Sequence, residues 1–163
     1  MSLTLPIQSH QKALTVVDTT PKRYFIIDFD STFTKVEGLD ELAKIALAGS
    51  PNQDSTVAEI KRLTDLGMSG ELSFEEALSK RLALLHANKS HIEILIKFLK
   101  TKISDSFARN GIFFELCADQ IIILSSGFKD FIVPVAIELG VKEENIYANT
   151  FTFDDDGNIT GAD

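Results

Sequence analysis

The chain has 163 residues, 44% hydrophobic and 25% charged; this fits one folded unit, or a core with a small insertion, and excludes collagen, intrinsic disorder and a disulfide scaffold. Its formal net charge is −8 and its pI about 4.9, so it lacks the basic footprint of a nucleic-acid or anionic-membrane binder. The single Cys117 forbids an intramolecular disulfide and fits a reducing compartment.

No run approaches the ~18 apolar residues of a membrane span. Residues 1–22 read as a polar leader without a signal peptide's apolar stretch, so the expected location is the cytoplasm. Tyr24-Phe25-Ile26-Ile27 is an apolar, β-favouring run that stops at Asp28. It predicts a strand of a parallel sheet, buried on both faces. A long stretch of helical pattern follows. Leu39, Leu42, Ala43, Ala46 and Leu47 keep helical spacing, as do Val57, Ile60 and Leu63. Ser73 with Glu76, and Ser90 with Glu93, match capping boxes and predict two helix starts. Phe74, Ala77, Leu78, Leu82 and Leu85 form the apolar face of the first helix, and Ile92, Leu95, Ile96 and Leu99 that of the second. Ile112, Phe113 and Leu116 mark a further helix leading into a second apolar run, Ile121-Ile122-Ile123-Leu124, which stops at Ser125-Ser126-Gly127. So much helix exceeds the needs of one crossover and predicts a helical subdomain inserted in an α/β core.

Beyond Gly127 a helix is expected to reach Leu139, with Pro134 disturbing its first turn and Gly140 as its C-cap. Residues 145–153 alternate as a strand, Asp156-Gly157 is a turn, and Asn158-Ile159-Thr160 returns as the second arm of a hairpin. The expected organisation is a leader at 1–22, an α/β core from 23–36 and 109–163, and a helical insertion at 37–108.

Both apolar strands end on chemically useful residues, where open α/β sheets bind ligands. Asp28 and Asp30 stand at i and i+2 of a strand-to-loop turn and can face one cavity. Such a pair divides labour, one carboxylate serving as nucleophile or metal ligand and the other as general acid and base. A bare Asp-x-Asp is more often a solvated turn; the apolar strand before it and Thr32 after it favour a site here. Other residues carry less. Lys129 follows the second strand and reads equally as an exposed helix lysine. Cys117 reads as a thiol on an apolar helical face. His10, His86 and His91 lack metal-ligand spacing, and Asp154-Asp155-Asp156-Gly157 reads as a hairpin turn rather than a calcium loop.

Asp28-Phe29-Asp30-Ser31-Thr32 after an apolar strand resembles the first signature of the haloacid dehalogenase superfamily, and Ser125 the second. Within it the chain resembles the phosphoserine phosphatase family. Glu37 with Asp40-Glu41-Leu42-Ala43 carries that similarity, as do Met68-Ser69-Gly70-Glu71-Leu72-Ser73-Phe74-Glu75-Glu76 running on to Arg81 and Leu84-Leu85, Ser125-Ser126-Gly127-Phe128, and Tyr147-Ala148-Asn149. The resemblance covers about residues 22–163. It implies a Rossmann-like parallel sheet with the inserted helices as a cap, and Mg2+-dependent hydrolysis of a small phosphomonoester, foremost O-phosphoserine in serine synthesis. By this resemblance Asp28 is the nucleophile and Asp30 the general acid and base. Mg2+ is held by the Asp28 carboxylate and the Asp30 main-chain carbonyl, and the phosphate by Ser125, Ser126 and Gly127. Glu37 binds the substrate ammonium, Arg81 its carboxylate, and Met68 and Phe74 cover the ligand. No nucleic-acid or membrane partner is implied.

The chain departs from the family pattern twice. Ser126 stands where the family has Gly. The family's catalytic Lys and later acidic metal motif have no counterpart after the hairpin, which implies a piece of a longer enzyme with an incomplete sheet, whose free edge would let copies associate. Two alternatives follow: a phosphatase for another small phosphorylated amino acid or amine, and a non-catalytic phosphate- or amino-acid-binding module.

Overall fold

A computed structural model of the chain describes residues 22–163, so all but Lys22 of the expected leader lies outside the described residues. β1 (Phe25–Ile27) runs parallel to β2 (Ile121–Phe128), and β2 parallel to β3 (Ile146–Asn149), in the order β1-β2-β3. Phe25 pairs with Ile121, Ile27 with Ile123, and Ile123 with Ile146. Parallel neighbours require a crossover between them. The first crossover holds α1 (Gly38–Ala46), α2 (Gln53–Ser69), α3 (Phe74–Leu85), α4 (Lys89–Lys100), α5 (Asp105–Arg109) and α6 (Gly111–Leu116). The second holds α7 (Lys129–Ala136) and the short helical turn that follows it.

The expected burial of the first strand on both faces does not hold. Tyr24, Phe25 and Ile26 are exposed, Ile26 at 68%, and β1 pairs only with β2 among the described residues. The central β2 buries Ile121 and Ile123 completely.

The helices form largely where the apolar spacing places them. α1 buries Leu39, Leu42 and Ala43 and packs on α2, α3 and α4; α4 in turn packs on α7. α2 ends at Gly70, whose φ of 80° suits a left-handed C-cap. Ser73 caps α3, its Oγ accepting the Glu76 N–H at 3.1 Å, while the Glu76 side chain turns to Lys80 instead of closing the box. The start expected at Ser90 moves earlier. Asn88 is the cap of α4, its Oδ1 accepting the Ser90 N–H at 3.0 Å, and His91 Nδ1 accepts the Asn88 N–H at 3.2 Å. Tertiary bonding sets this boundary: Lys89 N–H donates to Gly157 O at 3.0 Å and Ile159 N–H to Ala87 O at 2.9 Å, pinning the segment to the hairpin.

α6 also differs from the expected apolar face. Phe114 is buried edge-on to Phe33 and Phe107, whereas Ile112 and Leu116 stand 74% and 80% exposed. The buried ring decides which side turns inward. The single strand expected over 145–153 is two strands, β3 and β4 (Phe151–Phe153), which belong to different sheets. Asp130 Oδ2 accepts the Phe151 N–H at 2.9 Å just past the break, and β4 pairs antiparallel with β5 (Ile159–Ala162) around Gly157, φ 81°.

The chain leaves the sheet and returns to it side by side. Lys35 N–H donates to Lys102 O and Ser104 N–H to Phe33 O, both at 2.9 Å, and Lys35 Nζ meets Asp105 Oδ1 at 2.6 Å. Beneath this junction lies a phenylalanine core. Phe29 stacks on Phe33 with centroids 5.6 Å apart, Phe128 stacks on Phe151 at 3.7 Å, and Phe131 sits between the two pairs. Burying each ring contributes roughly 1.5–3 kcal/mol. No helix among the described residues is long and apolar enough to cross a membrane.

Candidate active site

Asp28 ends the apolar run, and the chain then turns tightly through residues 29–33, closed by Phe33 N–H to Asp28 O at 3.2 Å and Thr34 N–H to Phe29 O at 3.0 Å. Phe29 and Phe33 point into the core and are fully buried. With those rings inward, the intervening polar residues face the other way. Asp28, Asp30, Ser31 and Thr32 line a cavity of about 380 Å³, together with Glu37, Thr64, Met68, Phe74, Arg81 and Ser126. A larger groove of about 540 Å³ between α3 and β5 holds neither carboxylate of the turn.

The two aspartates differ in surroundings. Asp28 is exposed to the cavity, with Thr32 Oγ1 donating to its Oδ2 at 3.3 Å. Asp30 is wedged between two glycines. Its Oδ1 accepts the Gly38 N–H at 2.7 Å. A Cβ on Gly127 would lie 2.9 Å from its Oδ2, and one on Gly38 would lie 3.2 Å from its Oδ1. Burial pushes the Asp30 carboxyl up from 3.8 to about 7, against the Gly38 hydrogen bond and with help from the Glu37 and Asp28 charges. A carboxyl poised there can both give and take a proton near neutrality.

Seven of the nine residues singled out by sequence line this one cavity: Asp28, Asp30, Glu37, Met68, Phe74, Arg81 and Ser126. Gly127 lines a smaller adjoining recess of about 40 Å³ with Asp30, Glu37 and Arg81. Ser125 lines neither; its Oγ accepts the Gly127 N–H at 2.9 Å and would lie 3.1 Å from a Cβ on Gly127. Asn149 Nδ2 donates to Ser126 O at 2.8 Å and braces the loop from β3. Met68 and Phe74 are 81% and 50% exposed beside the carboxylates, which is not the burial of core packing.

Sequence reasoning missed several contributors. Ser31, at φ 53°, donates its hydroxyl to Glu37 Oε1. Asp40 Oδ1 meets Arg81 Nη2 at 3.1 Å, with Thr64 Oγ1 3.4 Å from the same oxygen. The signal for Ser31 was its place inside the Asp-x-Asp-Ser-Thr run, and that for Asp40 its place in the Asp40-Glu41-Leu42-Ala43 motif, although neither revealed its partner; Thr64 carried none.

Among the described residues, no three acidic, His or Cys side chains converge as a metal cluster. The turn offers the Asp28 carboxylate and the Asp30 carbonyl, both hard oxygen donors. That set suits Mg2+, which keeps several waters and takes its remaining ligands from substrate phosphate.

No family model matches the chain. Among solved structures, that of a phosphoserine phosphohydrolase-like protein from Francisella tularensis superposes with a TM-score of 0.76 at 32% identity, over 86% of this chain and 64% of that one. The phospho-aspartyl intermediate analogue of phosphoserine phosphatase follows at 0.67 and 27% identity, over 86% and 61%. The fold is therefore the haloacid dehalogenase-like α/β fold of the phosphoserine phosphatase type, with helices inserted after β1. Curated relatives name the family more closely. Phosphoserine phosphatase of Drosophila melanogaster is 33% identical over 127 residues, 78% of this chain and 44% of that protein. The chloroplastic phosphoserine phosphatase of Arabidopsis thaliana is 36% identical over 138 residues, 83% of this chain and 43% of that protein. The chain is thus a relative of the phosphoserine phosphatases and spans about half the length of the curated relatives it matches.

Proposed function

We propose that this chain carries the nucleophile, the general acid and the substrate-selecting cap of a Mg2+-dependent phosphoserine phosphatase. The observation that carries the reading is the pair of unlike carboxylates on one turn, Asp28 open to the cavity and Asp30 held near neutrality, facing Glu37 and Arg81. Asp28 attacks phosphorus; its O–P bond forms as the bond to the serine oxygen breaks, and Asp30 gives that oxygen its proton. Asp30 then takes a proton from the water that attacks the aspartyl-phosphate, releasing phosphate and restoring the Asp28 carboxylate. Mg2+ held by the Asp28 carboxylate and the Asp30 carbonyl supplies charge neutralisation when bound.

Glu37 meets the substrate ammonium and Arg81 its carboxylate, a one-anion, one-cation match to an amino-acid head group. Met68 and Phe74 cover the ligand. Ser126 and Gly127 bind phosphate, with Ser125 turning from the Gly127 amide to join them. The helices of 37–108 act as the cap, and the two adjacent segments hydrogen-bonded at Lys35 and Lys102 are its tether to the core of 23–36 and 109–163. A cytoplasmic role in serine biosynthesis, with O-phosphoserine as the small-molecule partner, follows from the same reading.

Phosphate release from O-phosphoserine with Mg2+, lost in Asp28→Asn, tests it; release unchanged by Asp28→Asn refutes it. A second reading rests on the cavity's single cation: among the described residues lining it, Arg81 alone is positively charged. Amino-acid and phosphate binding without turnover is its signature. Faster release from phosphoethanolamine than from O-phosphoserine would instead assign a phosphorylated amine as substrate.

A further inference from the structure

One turn of α1 organises the polar side of the cavity. Glu37 is its N-cap, the Gly38 amide holds Asp30, and Asp40 follows within the same turn. Asp40 reaches across the sequence to α3, its Oδ1 meeting Arg81 Nη2 at 3.1 Å. The pair is largely desolvated, with side chains 14% and 12% exposed. Thr64 of α2 places its hydroxyl 3.4 Å from the same oxygen and 3.1 Å from the Ile60 carbonyl. The remaining observation concerns Arg81 itself. Its Nε is buried without a hydrogen-bond partner, although Arg81 lines both the cavity and its inner recess. A buried donor left unpaired is costly, and a planar guanidinium is suited to gripping a carboxylate with more than one N–H.

We infer that Asp40 is the positioning residue for carboxylate recognition. It fixes the plane of Arg81 from α1 by holding Nη2, and so aims the cavity-facing N–H groups of the guanidinium at the carboxylate of the ligand. The inference rests on the assignment of Arg81 to the substrate carboxylate. It adds a residue that touches no ligand and sets selectivity through Arg81. A charge placed merely to tie α1 to α3 would alter stability and the affinity for every ligand alike. A positioning charge alters the affinity only of ligands that bear a carboxylate.

Calorimetric titration with O-phosphoserine and with phosphoethanolamine, which lacks the carboxylate, separates these roles. All arms carry Asp28→Asn, so that ligand is not consumed. The expected result is a preference for O-phosphoserine that falls about tenfold in Asp40→Asn, equivalent to about 1.4 kcal/mol, while phosphoethanolamine affinity stays within about twofold. In an Arg81→Ala background the preference is absent and Asp40→Asn changes nothing further. A preference that survives Asp40→Asn but not Arg81→Ala overturns the positioning role alone. A preference that survives Arg81→Ala, or a chain that binds neither ligand, overturns the underlying assignment and the inference with it. If Asp40→Asn does not fold, Thr64→Val takes its place: it keeps the ion pair and removes the hydroxyl bracing it. A preference lowered about threefold is then expected, and an unchanged one overturns the proposal.

Discussion

The wedge around Asp30 predicts that the carboxylate proposed as general acid destabilises its own fold. Burial between Gly38 and Gly127 raises the carboxyl from 3.8 to about 7, so between those values the folded chain binds a proton that the unfolded chain has released. Stability therefore falls as pH rises through that window and levels off above about pH 7. The gap corresponds to a ceiling of about 4 kcal/mol at 1.36 kcal/mol per pH unit. Asp30→Asn removes the ionisation while keeping an oxygen for the Gly38 amide. Its new NH2 group, without a partner in the wedge, returns about 1–3 kcal/mol of that ceiling. A net gain of about 1–3 kcal/mol remains, or about 2–12 °C in Tm at roughly 2–4 °C per kcal/mol for a chain of this size. Thermal unfolding in metal-free buffer should show Asp30→Asn more stable than the wild type at pH 8, with the advantage gone by pH 4. An advantage of equal size at both pH values, or a loss of stability at pH 8, would refute the argument.

Further outcomes follow from the same geometry. Gly127→Ala places a Cβ 2.9 Å from Asp30 Oδ2 and 3.1 Å from Ser125 Oγ; on the proposed mechanism, displacing Asp30 by even part of an ångström should cut phosphate release by about tenfold or more, read as kcat, while the chain still folds. Phe33→Ala empties a fully buried site shared with Phe29, Phe107 and Phe114, and urea unfolding should show a loss of about 3–5 kcal/mol. Asn88→Ala removes the side chain that caps α4 and should cost about 0.5–2 kcal/mol by the same assay; no loss would mean that the hairpin alone holds the helix start.

The local chemistry of the chain determined much of what it became. Apolar runs ending abruptly at Asp28 and at Ser125 located two of the three parallel strands and the polar residues toward their carboxyl ends, because a strand's apolar stretch and its change to polar residues are written in consecutive positions. The spacing of Leu39, Leu42 and Ala43 marked α1 for the same reason, and Ser73 marked the start of α3. Where tertiary contacts compete with local preference, the pattern misled. The hairpin pulled the start of α4 back to Asn88, the alternating run over 145–153 split between two sheets, and Ile26 stayed exposed on β1 despite its apolar character. The working state of the site was likewise decided only by folding. Two glycines eight and 97 residues from Asp30 close on its carboxylate, and Asp40 meets an arginine 41 residues away. Hydrogen-bonded turns and amphipathic spacing act over a few residues, so sequence displays them directly. Desolvation and ion pairing depend on which distant segments share one small volume, and that is settled when the core packs.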